Sequence, residues 1–179
     1  MSLFNDIEKR PDFSTMNKIP AIKEVAQQVN DWCNDETPAE DIERDLSEIY
    51  EYRVYIDGFE AAKTLSDSYY YEADSELVDI LEHASSKFRN HLRNEIKEWV
   101  AQNHIKPKYK VGDKVTVSAK TLRSDKDMKG EVINVYADTA EYTICIPELG
   151  HTKGDGVGIK GRVLKFEDLH DLKTEEVKV

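Results

Sequence analysis

The feature that most constrains the fold is a change of residue pattern at Pro107. Before this proline, apolar residues recur every three or four positions and Gly58 is the only glycine, as is typical of amphipathic helices. After it come seven of the eight glycines and short alternating runs of β-branched residues, which favour turns and strands. The sequence therefore predicts an α+β chain, with an acidic helical domain over residues 1–106, a small β domain over 107–172 and a tail over 173–179.

Three helices are predicted in the first domain. The first covers residues 20–32, where a proline suits the first helical turn. The second opens with the capping-box pattern Thr37-Pro38-Ala39-Glu40, and its apolar stripe continues to Tyr69. The third carries a similar stripe from Leu77 to Trp99 and ends near Asn103. Residues 68–75 form the turn between the second and third helices, so we expect a bundle built on a long antiparallel helix hairpin.

Gly58 is the residue within the predicted second helix that most opposes helix formation. A glycine at an interior helical position costs up to about 1 kcal/mol relative to alanine. We expect either a close contact with another helix or a slight bend to account for its presence.

The β domain is predicted from alternating apolar residues separated by turns. Residues 109–117 are predicted to form a turn that leads into a strand, and further strands are predicted over 129–136, 141–146 and 162–166. A polar loop is predicted over 120–127 and a glycine-rich loop over 150–158. The Lys-Gly-Glu-Val-Ile segment around Gly130-Glu131-Val132 resembles the small SH3-like barrels of the KOW and Tudor-like type. This resemblance covers about a third of the chain. It implies an SH3-like β-barrel and a tendency to bind RNA, ribosomal or polymerase surfaces, or peptides. No family is recognised for the helical part.

The negative charge of the chain is confined to the helical domain. The net charge is −11, and residues 1–106 contain 12 Lys and Arg against 23 Asp and Glu, whereas residues 107–179 contain 13 of each. Between Asp31 and Glu82 there are 17 acidic and three basic residues. Such a surface repels nucleic acid and anionic membranes and attracts basic proteins.

Four carboxylates are predicted to share one face of the second helix, because they lie at positions i, i+4, i+7 and i+10: Asp41, Asp45, Glu48 and Glu51. Like charges so placed repel each other, and a row of carboxylates resembles a phosphate backbone, as in phage-encoded DNA mimics. The alternative is a solvated acidic face that aids solubility. Part of the row also has possible internal partners on the third helix, which we expect opposite residues 48–56: Arg89, Arg93 and Lys97.

The nine tyrosines are divided between the core and the surface by their positions. Tyr52 and Tyr69 lie on the apolar stripe and are predicted to be core residues. Four others are predicted to be free to meet a partner: Tyr50, Tyr55, Tyr70 and Tyr71. The predicted partner-binding residues are therefore Asp41, Asp45, Glu48, Glu51, Tyr55, Tyr70, Tyr71 and Glu72.

No residue pattern points to catalysis or to a cofactor. The five histidines show no metal-ligand spacing, and no phosphate-loop, dinucleotide-binding or nucleophile-elbow motif is present. Gly154–Gly158 is interpreted as a hairpin loop, and Cys33 and Cys145 as free thiols. The chain has no 18-residue apolar run and no signal-peptide pattern at Met1, so we expect a cytoplasmic, non-enzymatic protein without metal or cofactor.

The preferred hypothesis is a binding protein whose acidic helical surface engages a basic, nucleic-acid-handling partner, in its sharpest form a phage-type inhibitor or DNA mimic. The alternative is a KOW-like accessory factor that binds RNA, ribosome or RNA polymerase through its barrel. The barrel carries seven basic residues, but direct nucleic-acid binding is not favoured because the region is neutral overall: Lys108, Lys110, Lys114, Lys120, Arg123, Lys126 and Lys129. Helix hairpins often dimerise, and monomer and homodimer are left equally open.

Overall fold

The computed structural model describes residues 9–34, 36–151 and 161–171. Most of the predicted glycine-rich loop and the predicted tail lie outside these residues. The chain is α+β, as expected, with helices in its first part and an antiparallel sheet in its second. It divides into a helical unit, Lys9–Ile96, and a second unit, here called the sheet unit, whose described part begins at Lys97.

The described residues contain six α-helices: α1 (Ile19–Trp32), α2 (Ala39–Tyr50), α3 (Gly58–Tyr69), α4 (Ser75–Glu82), α5 (Ala84–Gln102) and the short α6 (Ala119–Leu122). The first four helices and the beginning of α5 surround the core of the helical unit. The predicted first helix is confirmed, and its apolar face is buried at Ile22, Val25, Ala26 and Val29. The stripe of the predicted third helix is also buried, but α4 and α5 share it and His83 separates them.

The predicted continuous second helix is wrong. α2 ends at Tyr50, and α3 begins only at Gly58. The side chain of Asp57 caps α3, since its carboxylate accepts a hydrogen bond of 2.8 Å from the backbone N–H of Glu60. At the end of α2, the ammonium of Lys18 donates hydrogen bonds to the carbonyls of Tyr50 and Glu51, which compensates carbonyls that no longer have helical partners.

The predicted capping box at the start of α2 is also wrong. α2 begins after Pro38 and no side chain donates or accepts a capping hydrogen bond there. The carbonyl of Thr37 instead accepts a hydrogen bond of 2.9 Å from the side-chain amide of Asn30, which is buried on α1. The connection between α1 and α2 is thus held by a hydrogen bond from α1 to the connecting segment rather than by a local cap.

Gly58 packs directly against the backbone of α4, which confirms the close helix contact expected from its position. A Cβ atom there would lie 2.4 Å from the carbonyl oxygen of Val78 and 2.6 Å from the backbone nitrogen of Glu82. The N–H of Gly58 also donates a hydrogen bond of 2.7 Å to the Glu82 carboxylate. Only glycine permits α3 and α4 to approach this closely.

The sheet unit contains five strands in the order β4-β3-β2-β1-β5: β1 (Lys114–Val117), β2 (Met128–Tyr136), β3 (Glu141–Cys145), β4 (Arg162–Lys165) and β5 (Leu169–Asp171). All four pairings are antiparallel, and a register shift interrupts the β2–β3 pairing between Val132 and Asn134. α6 overlaps the start of the predicted polar loop. β4 and β5 are the edges of this open sheet within the described residues, so the SH3-like barrel remains a prediction.

The core of the sheet unit is organised around Tyr142. Its ring stacks on Phe166 with centroids 4.2 Å apart, and its hydroxyl accepts a hydrogen bond of 3.0 Å from the backbone N–H of Tyr109. Lys97, which the sequence placed opposite the acidic row, instead pairs with Asp138 at 3.1 Å. The interaction of Lys97 therefore lies within the sheet unit.

Candidate functional site

Five of the eight predicted partner-binding residues line one cleft of the helical unit, with a volume of about 630 Å³. We call it the acidic cleft. It lies between the end of α1, the start of α2 and the segment that joins α3 to α4. Its lining includes five carboxylates, one arginine and four aromatic residues: Glu36, Asp41, Asp45, Glu72, Asp74, Arg44, Trp32, Tyr69, Tyr70 and Tyr71.

Arg44 is held by two carboxylates of its own helix. Its Nη1 atom lies 2.6 Å from an oxygen of Asp41, and its Nη2 atom lies 3.0 Å from an oxygen of Asp45. The hydrogen bond to Asp45, and to a smaller extent the hydrogen bond to Asp41, raise the pKa of Arg44 above its ordinary value. Two of the predicted free carboxylates are therefore partly neutralised by the arginine between them.

Asp45 is buried, so the prediction that it lies on an exposed acidic face is wrong. Only 4% of its surface is accessible, and its second carboxylate oxygen accepts a hydrogen bond of 3.2 Å from the hydroxyl of Tyr71. Tyr71 is also buried, contrary to expectation. Burial, followed by the nearby Asp45 carboxylate, raises the pKa of the Tyr71 phenol. Asp45 and Tyr71 therefore form the floor of the acidic cleft, where they hold Arg44 in place.

Glu48 of α2 and Tyr69, the last residue of α3, form a further hydrogen bond at this side of the helical unit. The Tyr69 hydroxyl donates to the Glu48 carboxylate at 2.7 Å, and this interaction raises the pKa of Tyr69 to about 12. Tyr69 is half-buried and packs against the core of the helical unit, and it also lines the acidic cleft. The spacing of Tyr69 placed it on the apolar stripe of the sequence. That spacing does not reveal the carboxylate that accepts a hydrogen bond from its hydroxyl.

Tyr70 and Glu72 are exposed at the acidic cleft, as predicted. Tyr70 follows the last residue of α3 with a left-handed backbone (φ 64°), and 90% of its surface is accessible. Glu72 lies in the connection to α4 and is also exposed. These two residues supply an aromatic ring and a carboxylate that no neighbouring element covers.

Glu51 and Tyr55 do not reach the acidic cleft. They line a second depression of about 740 Å³ around the break between α2 and α3, together with Tyr52, Phe13 and Ile56. We call this depression the aromatic groove. Tyr52 is 86% exposed, so its assignment to the core is wrong, whereas Tyr55 is exposed as predicted.

Tyr50 also differs from the prediction. It was expected at the surface but is completely buried against Phe88, with ring centroids 4.9 Å apart. Its hydroxyl has no hydrogen-bond partner, and it is the one buried side-chain polar atom of the described residues in that state. Tyr50 is therefore a core residue and takes no part in either depression.

The acidic cleft combines the two features that bind organic cations. Carboxylates attract an ammonium or guanidinium group, and exposed aromatic faces add a cation–π contribution. Sequence reasoning missed Trp32, Arg44 and Asp74, because their loops and helix ends meet only in the folded unit. Among the described residues, no group of three or more His, Cys, Asp or Glu side chains is arranged to hold a metal ion.

Basic residues of the predicted barrel take part in interactions within the same unit. Lys114 pairs with Glu131, and Lys126 pairs with Glu148 at 2.8 Å. The ammonium of Lys108 lies 5.2 Å from the centre of the Tyr109 ring. These contacts account for several of the positive charges on which the alternative, nucleic-acid-binding hypothesis depends.

In the part of the chain that the structure describes, no helix combines the length and the apolar composition required to cross a membrane. Comparisons of the chain with protein families, with curated proteins and with solved structures find no match.

Proposed function

We propose that this chain is a non-enzymatic binding protein whose acidic helical unit engages a basic protein. The observation that carries the proposal is the acidic cleft, in which five carboxylates and four aromatic residues surround a single arginine. The surrounding sequence adds to the field, since residues 31–82 contain 17 acidic and three basic residues. A concave surface of one sign concentrates oppositely charged partners and accelerates association.

The contact is proposed to centre on the exposed members of the cleft. Asp45 and Tyr71 are buried and support Arg44, so they position the cleft instead of meeting the partner. Glu36, Tyr70 and Glu72 are exposed and are the proposed contacts for lysine or arginine side chains. An inhibitor of a nucleic-acid-handling enzyme is the specific form of this proposal, because such enzymes present basic surfaces.

The test is a charge reversal at exposed positions only. We expect Glu36→Lys combined with Glu72→Lys to weaken binding of a lysine–serine peptide at least about fivefold at low salt. Glu98→Lys combined with Asp125→Lys is the matched control, because it changes the net charge equally at exposed positions of the sheet unit. Reversal of Asp45 is unsuitable, because it would bury an unpaired ammonium group.

Binding of the peptide by the Glu36/Glu72 variant with wild-type affinity would overturn the proposal. An affinity that does not fall with added salt would also overturn it. A native lysate treated with the wild type and the two double variants then identifies the partner. We expect a basic protein to be recovered by the wild type and the control, and to be lost from the Glu36/Glu72 variant. If that protein binds nucleic acid, the wild-type chain should displace nucleic acid from it.

A further inference from the structure

A third depression of the helical unit shares Trp32 with the acidic cleft. It lies between α1 and α4 and has a volume of about 480 Å³. We call it the α1–α4 groove. Among the described residues, its lining contains three carboxylates, Asp31, Glu76 and Asp79, and no lysine or arginine. Because Trp32 lines both depressions, the groove and the acidic cleft are neighbours on the surface of the helical unit.

The walls of the groove follow from helix geometry. Glu76, Asp79 and Ile80 lie at positions i, i+3 and i+4 of α4, so they share one face of that helix. His83 extends this wall to i+7, which makes it about 10 Å long. The opposite wall is the end of α1. The carboxylates are exposed, whereas Trp32 and Ile80 are half-buried, so the groove presents negative charge beside partly exposed apolar side chains.

The fold leaves the charge of the groove without a basic partner. Within the part of the chain that the structure describes, neither a lysine nor an arginine pairs with the three groove carboxylates. Two basic side chains that α5 directs towards α1 bind Glu24 instead, Lys87 at 3.1 Å and His91 at 2.9 Å. The last turns of α1 and α4 contain no basic residue either, so the partial negative charges of two helix ends add to the field.

Trp32 is held in place where the two depressions meet. It is the last residue of α1 and packs against the core of the helical unit. Its side chain also hydrogen-bonds to Asp74, a carboxylate of the acidic cleft, and together with the stronger effect of the Leu77 N–H this lowers the pKa of Asp74. An aromatic ring with carboxylates on both sides suits the aliphatic stems and the charged ends of lysine and arginine.

We propose that the acidic cleft and the α1–α4 groove together bind one segment of the basic partner, which carries two groups of lysine or arginine residues separated by a short uncharged spacer. One group meets Glu36 and Glu72 in the cleft. The other meets Asp31 and Asp79 in the groove, and the spacer crosses Trp32. The inference rests on the proposed function and specifies the form of the partner. Two linked contacts give high affinity even where each ion pair alone is weak.

The test compares two synthetic peptides of equal length. The two-part peptide has two groups of three lysines joined by four serines. The one-part peptide has serine in place of the second group. Three extended residues span about 10 Å, so each group matches the length of the groove wall. We expect the wild type, measured by fluorescence anisotropy at low salt, to bind the two-part peptide at least about tenfold more tightly.

Asp31→Asn combined with Asp79→Asn removes two charges of the groove at exposed positions. It should weaken two-part binding at least about fivefold and one-part binding at most about twofold, because one group of lysines can still occupy the acidic cleft. Glu40→Gln combined with Asp67→Asn is the matched control, since both residues are exposed on the helical unit outside the two linings. This control should change neither affinity by more than about twofold. Circular dichroism verifies that the helices are retained.

Trp32 provides a second readout. Trp99→Phe leaves it as the only tryptophan of the chain. We expect saturation with the two-part peptide to change the emission of Trp32, because the spacer covers its ring. An unchanged emission spectrum at saturation would overturn the inference.

Equal affinity of the wild type for the two peptides would overturn the inference, and so would two-part binding that survives the Asp31/Asp79 substitutions. Wild-type dimerisation in sedimentation velocity that those substitutions abolish would assign the groove to a second copy of the chain and would also overturn it. Salt-sensitive one-part binding that the Glu36/Glu72 variant loses would in these cases leave the proposed function standing. Failure of both peptides to bind would reject the inference and the proposed function together.

Discussion

Replacing Gly58 with alanine should destabilise the helical unit by about 2–4 kcal/mol. The added Cβ atom would lie 2.4 Å from the Val78 carbonyl oxygen and 2.6 Å from the Glu82 nitrogen. Both neighbours are backbone atoms of α4, so neither can rotate away. The strain can be relieved only if α4 moves or the first turn of α3 unwinds.

The magnitude combines three contributions. Overpacking costs about 1–3 kcal/mol. Separation of the helices also weakens the hydrogen bond from the Gly58 N–H to the Glu82 carboxylate, and a hydrogen bond to a charged acceptor contributes about 1.5–3 kcal/mol. The better helix propensity of alanine offsets at most about 1 kcal/mol. For a unit of this size, a loss of 3 kcal/mol corresponds to a fall in Tm of roughly 12–24 °C.

Urea unfolding followed by far-UV circular dichroism measures the change. Gly150→Ala is the control, because a Cβ there meets no atom within 4 Å but the backbone is left-handed (φ 71°). The control should cost about 1–2 kcal/mol and be partly rescued by asparagine, which tolerates that conformation. Asparagine at Gly58 should give no rescue. A Gly58→Ala variant within about 0.5 kcal/mol of the wild type would refute the contact argument.

Three further predictions concern hydrogen bonds of the helical unit. Tyr50→Phe should leave the free energy of unfolding unchanged or raise it by up to about 1 kcal/mol, because the lost hydroxyl has no hydrogen-bond partner. Tyr71→Phe should lower the free energy of unfolding by about 1–2 kcal/mol, because it removes the hydrogen bond to Asp45; equal losses in urea unfolding would contradict this contrast. Asp74→Ala should lower the Tm at neutral pH, because the Asp74 carboxylate caps α4. The hydrogen bond from the Leu77 N–H holds the pKa of Asp74 below its ordinary value, so this stabilisation is complete above about pH 4 and is lost as the pH falls through the folded-state pKa. A Tm difference between the variant and the wild type that persists at lower pH would argue against this cap. Tyr69 should ionise with a pKa of about 12, and Glu48→Gln should lower that pKa towards 10. Ultraviolet titration against a Tyr69→Phe reference measures the pKa, and a titration curve unchanged by Glu48→Gln would count against the hydrogen bond.

The helical part of the fold could be predicted where periodicity and burial coincide. α1 and the shared stripe of α4 and α5 follow the apolar spacing of the sequence. The break after Tyr50 was missed because Tyr52, Ile56 and Phe59 continue the helical period through it. The Asp57-Gly58-Phe59-Glu60 segment carried the signal, since an acidic N-cap followed three residues later by glutamate is typical of a new helix.

The candidate site could be predicted only in part. Five of the eight partner-binding residues do lie together at the acidic cleft. Helix spacing placed Asp45 on the same face as Asp41, but it could not show that Tyr71 covers Asp45 from the segment after α3. That contact joins positions 26 residues apart, and a one-dimensional pattern does not contain it. A distant contact, with Phe88, likewise explains why Tyr50 is buried, whereas Tyr52 is exposed because α2 ends at Tyr50.

The left-handed backbone of Tyr70 has an evolutionary consequence. Glycine is the residue that a helix favours at this position, and a tyrosine there costs roughly 1 kcal/mol or more of folding free energy. With 90% of its surface accessible, the ring recovers little of that loss through packing. Selection for stability alone would therefore replace Tyr70 with glycine, and selection for the proposed binding at the acidic cleft would retain it. Random variants of this codon, sorted separately for resistance to proteolysis and for peptide capture, should diverge at this position.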